Sequence, residues 1–153
     1  DNDYYLTRQI DGSYNKNGSI FMDYRNASDF SDRNTIIYGH HMRTGNMFGK
    51  LVNFKSDSYY QQHDHMFIMT PQVTYRLELL CGAVVEPDDP IYSIDPTEEA
   101  LAACMRRSTF QTKLELPEAD AKLVTLSTCS YEFDNARYVV VGVLTLVEEA
   151  ANS

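Results

Sequence analysis

The chain has 153 residues, 43% of them hydrophobic, which suits one soluble domain with a sizeable core. Its formal net charge of -9, from 22 acidic and 13 basic residues, argues against a protein that grips nucleic acid, since such proteins present a basic face. The longest strongly apolar stretch, 138–147, is broken by Gly142 and Thr145 and falls far short of the ~20 residues that a membrane-spanning helix needs.

Residues 1–35 are rich in Asn, Asp, Ser, Gly and Tyr. They read as loops and short strands, with a strand expected at 19–23 (SIFMD). The run Asn34–Tyr38 (NTIIY) is β-branched and apolar, the signature of a buried strand. It leads into Gly39, His40 and His41. Residues 46–53 (NMFGKLVN) space Met47, Phe48, Leu51 and Val52 at helical intervals. A second short helix is expected over 56–62, capped by Ser56 or Asp57. A strand at 67–70 stops at Pro71.

Residues 73–86 (VTYRLELLCGAVVE) begin with period-two alternation. They predict a strand pair or one long bent strand, with Gly82 at the bend or bulge. The clearest helix is 95–107 (DPTEEALAACMRR). Asp95 is its expected cap, Pro96 its first residue and Glu98 the partner in a capping box. Arg106 and Arg107 suit the negative end of the dipole, and Leu101, Cys104 and Met105 face inward. Strands over 122–128 and 137–148 complete the chain. The fold class is mainly β, with a few helices in the connections. Strands and helices do not alternate regularly, so a barrel or sandwich fits better than a parallel α/β sheet.

Three cysteines are present, Cys81, Cys104 and Cys129. An odd number cannot form a complete disulfide framework, and no CxxC pair points to a zinc ribbon or a thioredoxin-type site. Cys81 in LELLCGAVV and Cys104 on the apolar side of a helix read as core packing. Cys129 differs. It ends an apolar strand (TLSTC), Thr125, Ser127 and Thr128 accompany it, and Arg137 follows across a short loop. A free cysteine packs well as a small hydrophobe, and that reading stands beside the chemical one. In the chemical one a nearby cation stabilises the nucleophilic thiolate.

The segment YGHHM (38–42) places a histidine pair where a strand ends. A histidine there suits general acid–base work, because its unperturbed pKa of ~6.5 allows proton transfer near neutrality. A cysteine and a histidine distant in sequence can meet in the fold. His63 and His65 (HDH) are the remaining histidines, and a solvated loop accounts for them better than a metal site, so no metal is expected. GHHMRTG lacks the GK[ST] of a phosphate loop, and no GxSxG elbow supports a serine hydrolase. No cofactor is implied.

Taken together, TLSTC at 125–129, Arg137 downstream and NTIIYGHHM upstream resemble the sortase transpeptidases. The longer pattern YYLTRQIDGSYNKNGSIFMDYRN…NTIIYGHHMRTGNMFGKL resembles class B sortases in particular, over almost the whole chain. The resemblance implies a sortase-type β-barrel in a single catalytic domain, 1–153, with a helix in the connection before the cysteine strand. It implies a cysteine transpeptidase that cleaves an NPxTx-like sorting signal after threonine through a thioester. The acyl group then passes to an amine of the cell-wall precursor or of a pilin. The implied location is the outer face of the membrane of a Gram-positive cell, held by an N-terminal anchor.

Carried onto this sequence, the resemblance makes Cys129 the nucleophile, His40 the acid–base residue and Arg137 the cation near the oxyanion. His41 stands where many relatives have asparagine. Asn2 matches an asparagine that supports the histidine, Leu6 and Ser127 match positions lining the signal-peptide groove, and Tyr92 is a further candidate for that groove. The alternatives are a hydrolytic cysteine peptidase and a non-catalytic peptide-binding barrel. Class B members carry an N-terminal helical segment and one or two barrel strands before the stretch matching DNDYYL, and these are expected to be missing here. An incomplete barrel exposes a strand edge, and such edges pair with other chains. A strand-exchanged oligomer is the expectation in that case.

Overall fold

The β-branched runs that the sequence marks as strands lie at the centre of one six-stranded sheet. The computed structural model describes residues 21–27, 29–39, 49–70, 73–129 and 136–149. Asn2, Leu6, His40, His41, Met47, Phe48 and Pro71 lie outside that set. The strands are β1 (Phe21–Met22), β2 (Asn34–Tyr38), β3 (His65–Met69), β4 (Val73–Val85), β5 (Lys122–Cys129) and β6 (Arg137–Glu149). Their order across the sheet is β1-β2-β5-β6-β4-β3. The β2–β5 pair is parallel, and the other four pairs are antiparallel. The architecture is mainly β, as the sequence predicts, and is an open, barrel-like sheet among the described residues.

β6 lies between β5 and β4, and Tyr138, Val139, Val140 and Val141 are all fully buried. A strand covered on both faces reads as a continuous apolar run, which is why VVVGVL shows no alternation. Residues on one face join an aromatic layer: Phe54, Tyr60, Phe110, Tyr138 and Val140 cluster with Leu126 and Val124. Residues on the other face join a layer of Ile36, Ile91, Leu101, Cys104, Val139 and Val141. Tyr60 and Phe110 stack at 4.2 Å in the aromatic layer.

β4 changes sides midway. Leu77 and Leu79 face the aromatic layer, whereas Cys81, Ala83 and Val85 face the opposite one. The cause is a register shift against β6. Leu79 pairs with Gly142 and Cys81 with Val141, so Leu80 is an extra residue. One inserted residue exchanges the faces of everything beyond it.

The bulge therefore sits at Leu80 and not at Gly82, where the sequence points. Gly82 has another reason to be glycine. A Cβ there would collide with the Tyr138 hydroxyl and lie 3.0 Å from the Phe110 ring.

The connections carry the helices. A 3-10 helix, Gly49–Lys55, replaces the expected helix at 46–53. Its buried Leu51 and Phe54 are three apart, the spacing that aligns side chains on a 3-10 helix. α1 (Asp57–Gln62) follows with Ser56 at its N-cap, although the Ser56 side chain makes no capping bond.

α2 (Glu98–Arg106) is shorter than 95–107, and its cap is Thr97, whose side chain accepts from the Ala100 N–H. That cap sets Glu98 and Glu99 in the first turn, where the dipole favours acids. Asp95 instead donates its backbone N–H to Ser93 Oγ at 3.1 Å. His65 is likewise not in a loop. It opens β3 opposite Glu78, and its Nδ1 lies 2.8 Å from Asp64 Oδ1.

Candidate active site

Parallel pairing of β2 with β5 brings their C-terminal ends to the same end of the sheet. β6 runs the other way, so it starts there. The register aligns Tyr38 with Ser127 and Cys129 with Arg137. Directly paired positions of an antiparallel ladder share a face, with Cβ atoms about 5 Å apart. β2 ends one residue short of Gly39, whose N–H donates to the Ser127 carbonyl at 3.1 Å. His40 is the next residue in the chain. The described backbone thus brings positions 39, 129 and 137 together. Of the candidate trio, Arg137 is described with its side chain and Cys129 through its backbone, while His40, Asn2 and Leu6 lie outside the described residues. The half-buried Arg137 guanidinium donates Nη1–H to the Ala136 carbonyl at 3.3 Å.

Ser127 and Tyr92 meet. Their hydroxyls are 2.7 Å apart in a buried contact. Tyr92 comes from a short 3-10 turn, Pro90–Tyr92, whose N-cap Asp89 accepts from the Ile91 N–H. Its ring stacks on Tyr38 with centroids 6.3 Å apart and planes at 10°.

Behind this pair lies a polar network that the sequence reading missed. Asp23 is buried, accepts from Arg25 Nε at 3.0 Å and Nη2 at 3.2 Å, and also accepts from the Tyr38 hydroxyl at 2.9 Å. The second Nη2 contact of Arg25 is to the Tyr92 carbonyl at 2.8 Å. One ion pair therefore ties β2 to the turn that carries Tyr92.

Burial alone would raise the Asp23 pKa. The hydrogen bonds from Arg25 and Tyr38, together with the Arg25 charge, more than offset it and leave the carboxyl below its usual range. Tyr38 is pushed the other way, upward, by burial and by the carboxylate it serves. It is a neutral donor at any physiological pH.

Asn34 was missed as well. Its fully buried amide donates to the carbonyls of Ile91 and Ser93, each at 2.9 Å, and accepts from Thr125 Oγ1 at 2.9 Å. The available signals were an acid and a base two positions apart just after a strand (MDYR), and an amide opening an otherwise apolar strand.

His63 ends α1 and stacks on Tyr59 at 4.1 Å. Among the described residues no cluster of His, Cys, Asp or Glu is arranged to hold a metal ion.

The sortase domain family matches residues 1–145. Sortase B of Listeria monocytogenes is 33% identical over 153 residues, covering 94% of this chain and 61% of that protein. The chain thus spans about three fifths of that relative's length. Among solved structures, a Staphylococcus aureus sortase B–substrate complex superposes with a TM-score of 0.87 at 27% identity, covering 96% of this chain and 71% of the other. A sortase B complexed with triglycine gives 0.84 at 27% identity, covering 94% and 70%. The chain belongs to the sortase family, and its relatives are of class B.

Proposed function

We propose that this chain is the catalytic domain of a class B sortase, a cysteine transpeptidase acting on sorting-signal peptides. The observation that carries the reading is the register at one end of the sheet. Position 129 pairs with Arg137, and Gly39, next to His40, is hydrogen-bonded at Ser127. Strand pairing of this kind supports a reading in which a cysteine, a histidine and a cation converge at that end.

In this reading the Cys129 thiolate attacks the carbonyl carbon of the signal's threonine. The carbonyl electrons move to oxygen, and Arg137, always charged and rich in donors, opposes the oxyanion. Protonated His40 delivers its proton to the departing amine as the C–N bond breaks. The thioester that remains is attacked by a second amine, which gives a proton to the now neutral His40 and expels the thiolate. Free cysteine and histidine, with pKa values of about 8.5 and 6.5, are mostly both neutral at pH 7. The reactive ion pair is then a minority form unless the site shifts both groups.

Ser127 and Tyr92 join in the buried hydroxyl contact that backs the cysteine strand, and in this proposal they form one wall of the peptide groove. On the match to class B sortases alone, Leu6 is assigned to the groove and Asn2 to the support of His40. The family relatives support the substrate classes. One solved neighbour is a substrate complex, and another holds triglycine. An NPxTx-like signal and a cell-wall or pilin amine are the proposed partners. The outer face of the membrane, with an N-terminal anchor, is the proposed location.

The test is incubation with NPxTx peptides, with and without an oligoglycine or diaminopimelate-type amine, followed by intact-mass analysis. An acyl adduct that Cys129→Ala abolishes, and a ligated product when amine is present, are expected. Cleavage without ligation would make the protein a hydrolase. Binding without any adduct would leave a peptide-binding barrel.

A further inference from the structure

We infer that Cys81 and Cys104 form a second thiol site, one that closes to an intramolecular disulfide when a small-molecule disulfide is available as oxidant. The site is independent of what Cys129 does. Cys81 lies in β4 and Cys104 in α2, and both are fully buried. Their sulfurs are 3.0 Å apart, closer than two non-bonded sulfurs ordinarily pack.

The Leu80 bulge creates this meeting. Without the extra residue, position 81 would face the aromatic layer and not α2. Two of three cysteines thus have each other as partner, and Cys129, at the end of β5, is left over. The odd count is accounted for within one chain.

The chemistry balances with a disulfide such as oxidised glutathione. Cys104 acts first, because it lies on α2, the element whose local opening admits the oxidant. Local opening of α2, whose outer face bears exposed Glu98, Glu99 and Arg106, gives the oxidant access. The Cys104 thiolate attacks one glutathione sulfur and expels glutathione thiolate. Cys81 loses its proton and attacks Cys104 Sγ in the mixed disulfide, which expels the second glutathione. Two thiols lose two electrons, one disulfide is reduced, and the two protons end on two glutathione molecules.

The span between the cysteines, 23 positions, includes the turn that presents Tyr92 to Ser127. Closing it pins that turn's connection to β4 and removes entropy from the unfolded chain.

Equilibration of the wild type and Cys129→Ala with oxidised glutathione tests the inference, both in the native state and after refolding from urea in the same buffer. Thiols are then counted with a maleimide in denaturant without reductant. No reactive thiol is expected in Cys129→Ala and at most one in the wild type, where Cys129 can itself carry a glutathionyl group, with a linked Cys81–Cys104 peptide on proteolysis of both. Two reactive thiols in Cys129→Ala, or stable glutathione adducts on Cys81 or Cys104, would overturn it. Dithiothreitol should lower the melting midpoint of oxidised Cys129→Ala by about 10 °C, from loop-closure entropy and the size of the chain. It should leave Cys81→Ser/Cys129→Ala unmoved. No fall in Cys129→Ala would also overturn the inference, since the bond would then not belong to the native packing.

Discussion

The two faces of the sheet are built on opposite principles. The aromatic face is held by ring contacts: Phe54, Tyr60 and Phe110 pack together, and Tyr138 lies over Gly82. The α2 face is equally buried but carries a chain of polar groups. Asn34, Thr125, Ser127 and Tyr92 are linked to each other or to the 91–93 backbone. Polar atoms are satisfied where they knit β2, β5 and the Tyr92 turn together. The buried hydroxyls of Thr35 and Thr128, whose positions alternate to the aromatic side, have no partner among the described residues. Buried polar groups stabilise only when bonded. The α2 face therefore uses its polarity to position the end of the sheet where Cys129 and Arg137 pair.

The sharpest way to break this comparison is at that end. Cys129→Ala should lower transpeptidation by about 10⁴-fold or more, and Arg137→Ala by about 10²–10³-fold. Both should leave the near-ultraviolet circular dichroism intact. Comparable loss of fold in either would mean that the positions serve packing.

Next in size is the aromatic face itself. Tyr138→Ala removes the largest ring over Gly82 and should cost about 4 kcal/mol in urea unfolding. On the opposite face, Asn34→Ala should cost about 3 kcal/mol, because it strands Thr125 Oγ1 and two carbonyls. A negligible loss would show that water replaces the amide.

A pH series separates the faces further. The folded-state pKa of Asp23 is depressed, so its contribution is complete above the ordinary carboxylate value of about 3.9. It is lost as the pH falls through the lower folded value. Melting midpoints measured from pH 6 down to 2 should therefore fall less steeply below about pH 4 in Asp23→Asn than in the wild type. Smallest of all is Thr35→Val, which removes an unpartnered hydroxyl at nearly constant volume. It should be neutral or stabilise by up to about 1 kcal/mol, and a loss of more than that would reveal a bond to the hydroxyl.

What could be read from sequence followed from local chemistry. NTIIY is a strand over its whole length because β-branched residues suit a pleated, covered backbone. The strands at Lys122 and Arg137 each begin one residue ahead of their apolar runs. The cap of α2 falls at Thr97 and not at Asp95, because DPTEE offers two capping side chains and local sequence does not choose between them. Gly82 reads as a bulge because a glycine inside a strand serves a bulge or a close neighbour equally well. Tyr138 and Phe110, both remote in sequence, decide between them.

The candidate trio could be named from TLSTC, YGHHM and Arg137. The Asp23–Arg25–Tyr38–Tyr92 network could not, because its members come from three separate segments joined only by tertiary contacts.

The parallel β2–β5 pair also has a kinetic consequence. Thr125 and Asn34, bonded across that pair, are 91 positions apart. A long closure entropy must be met before any of their contacts can form, and such high contact order slows folding. The strand that carries Cys129 pairs locally with β6, and its long-range pairing with β2 is expected to be the later step. Partially folded chains with an assembled β3–β4 hairpin would carry the thiol without a competent site. Regain of activity during refolding should then lag behind the signal of the hairpin and coincide with the last step.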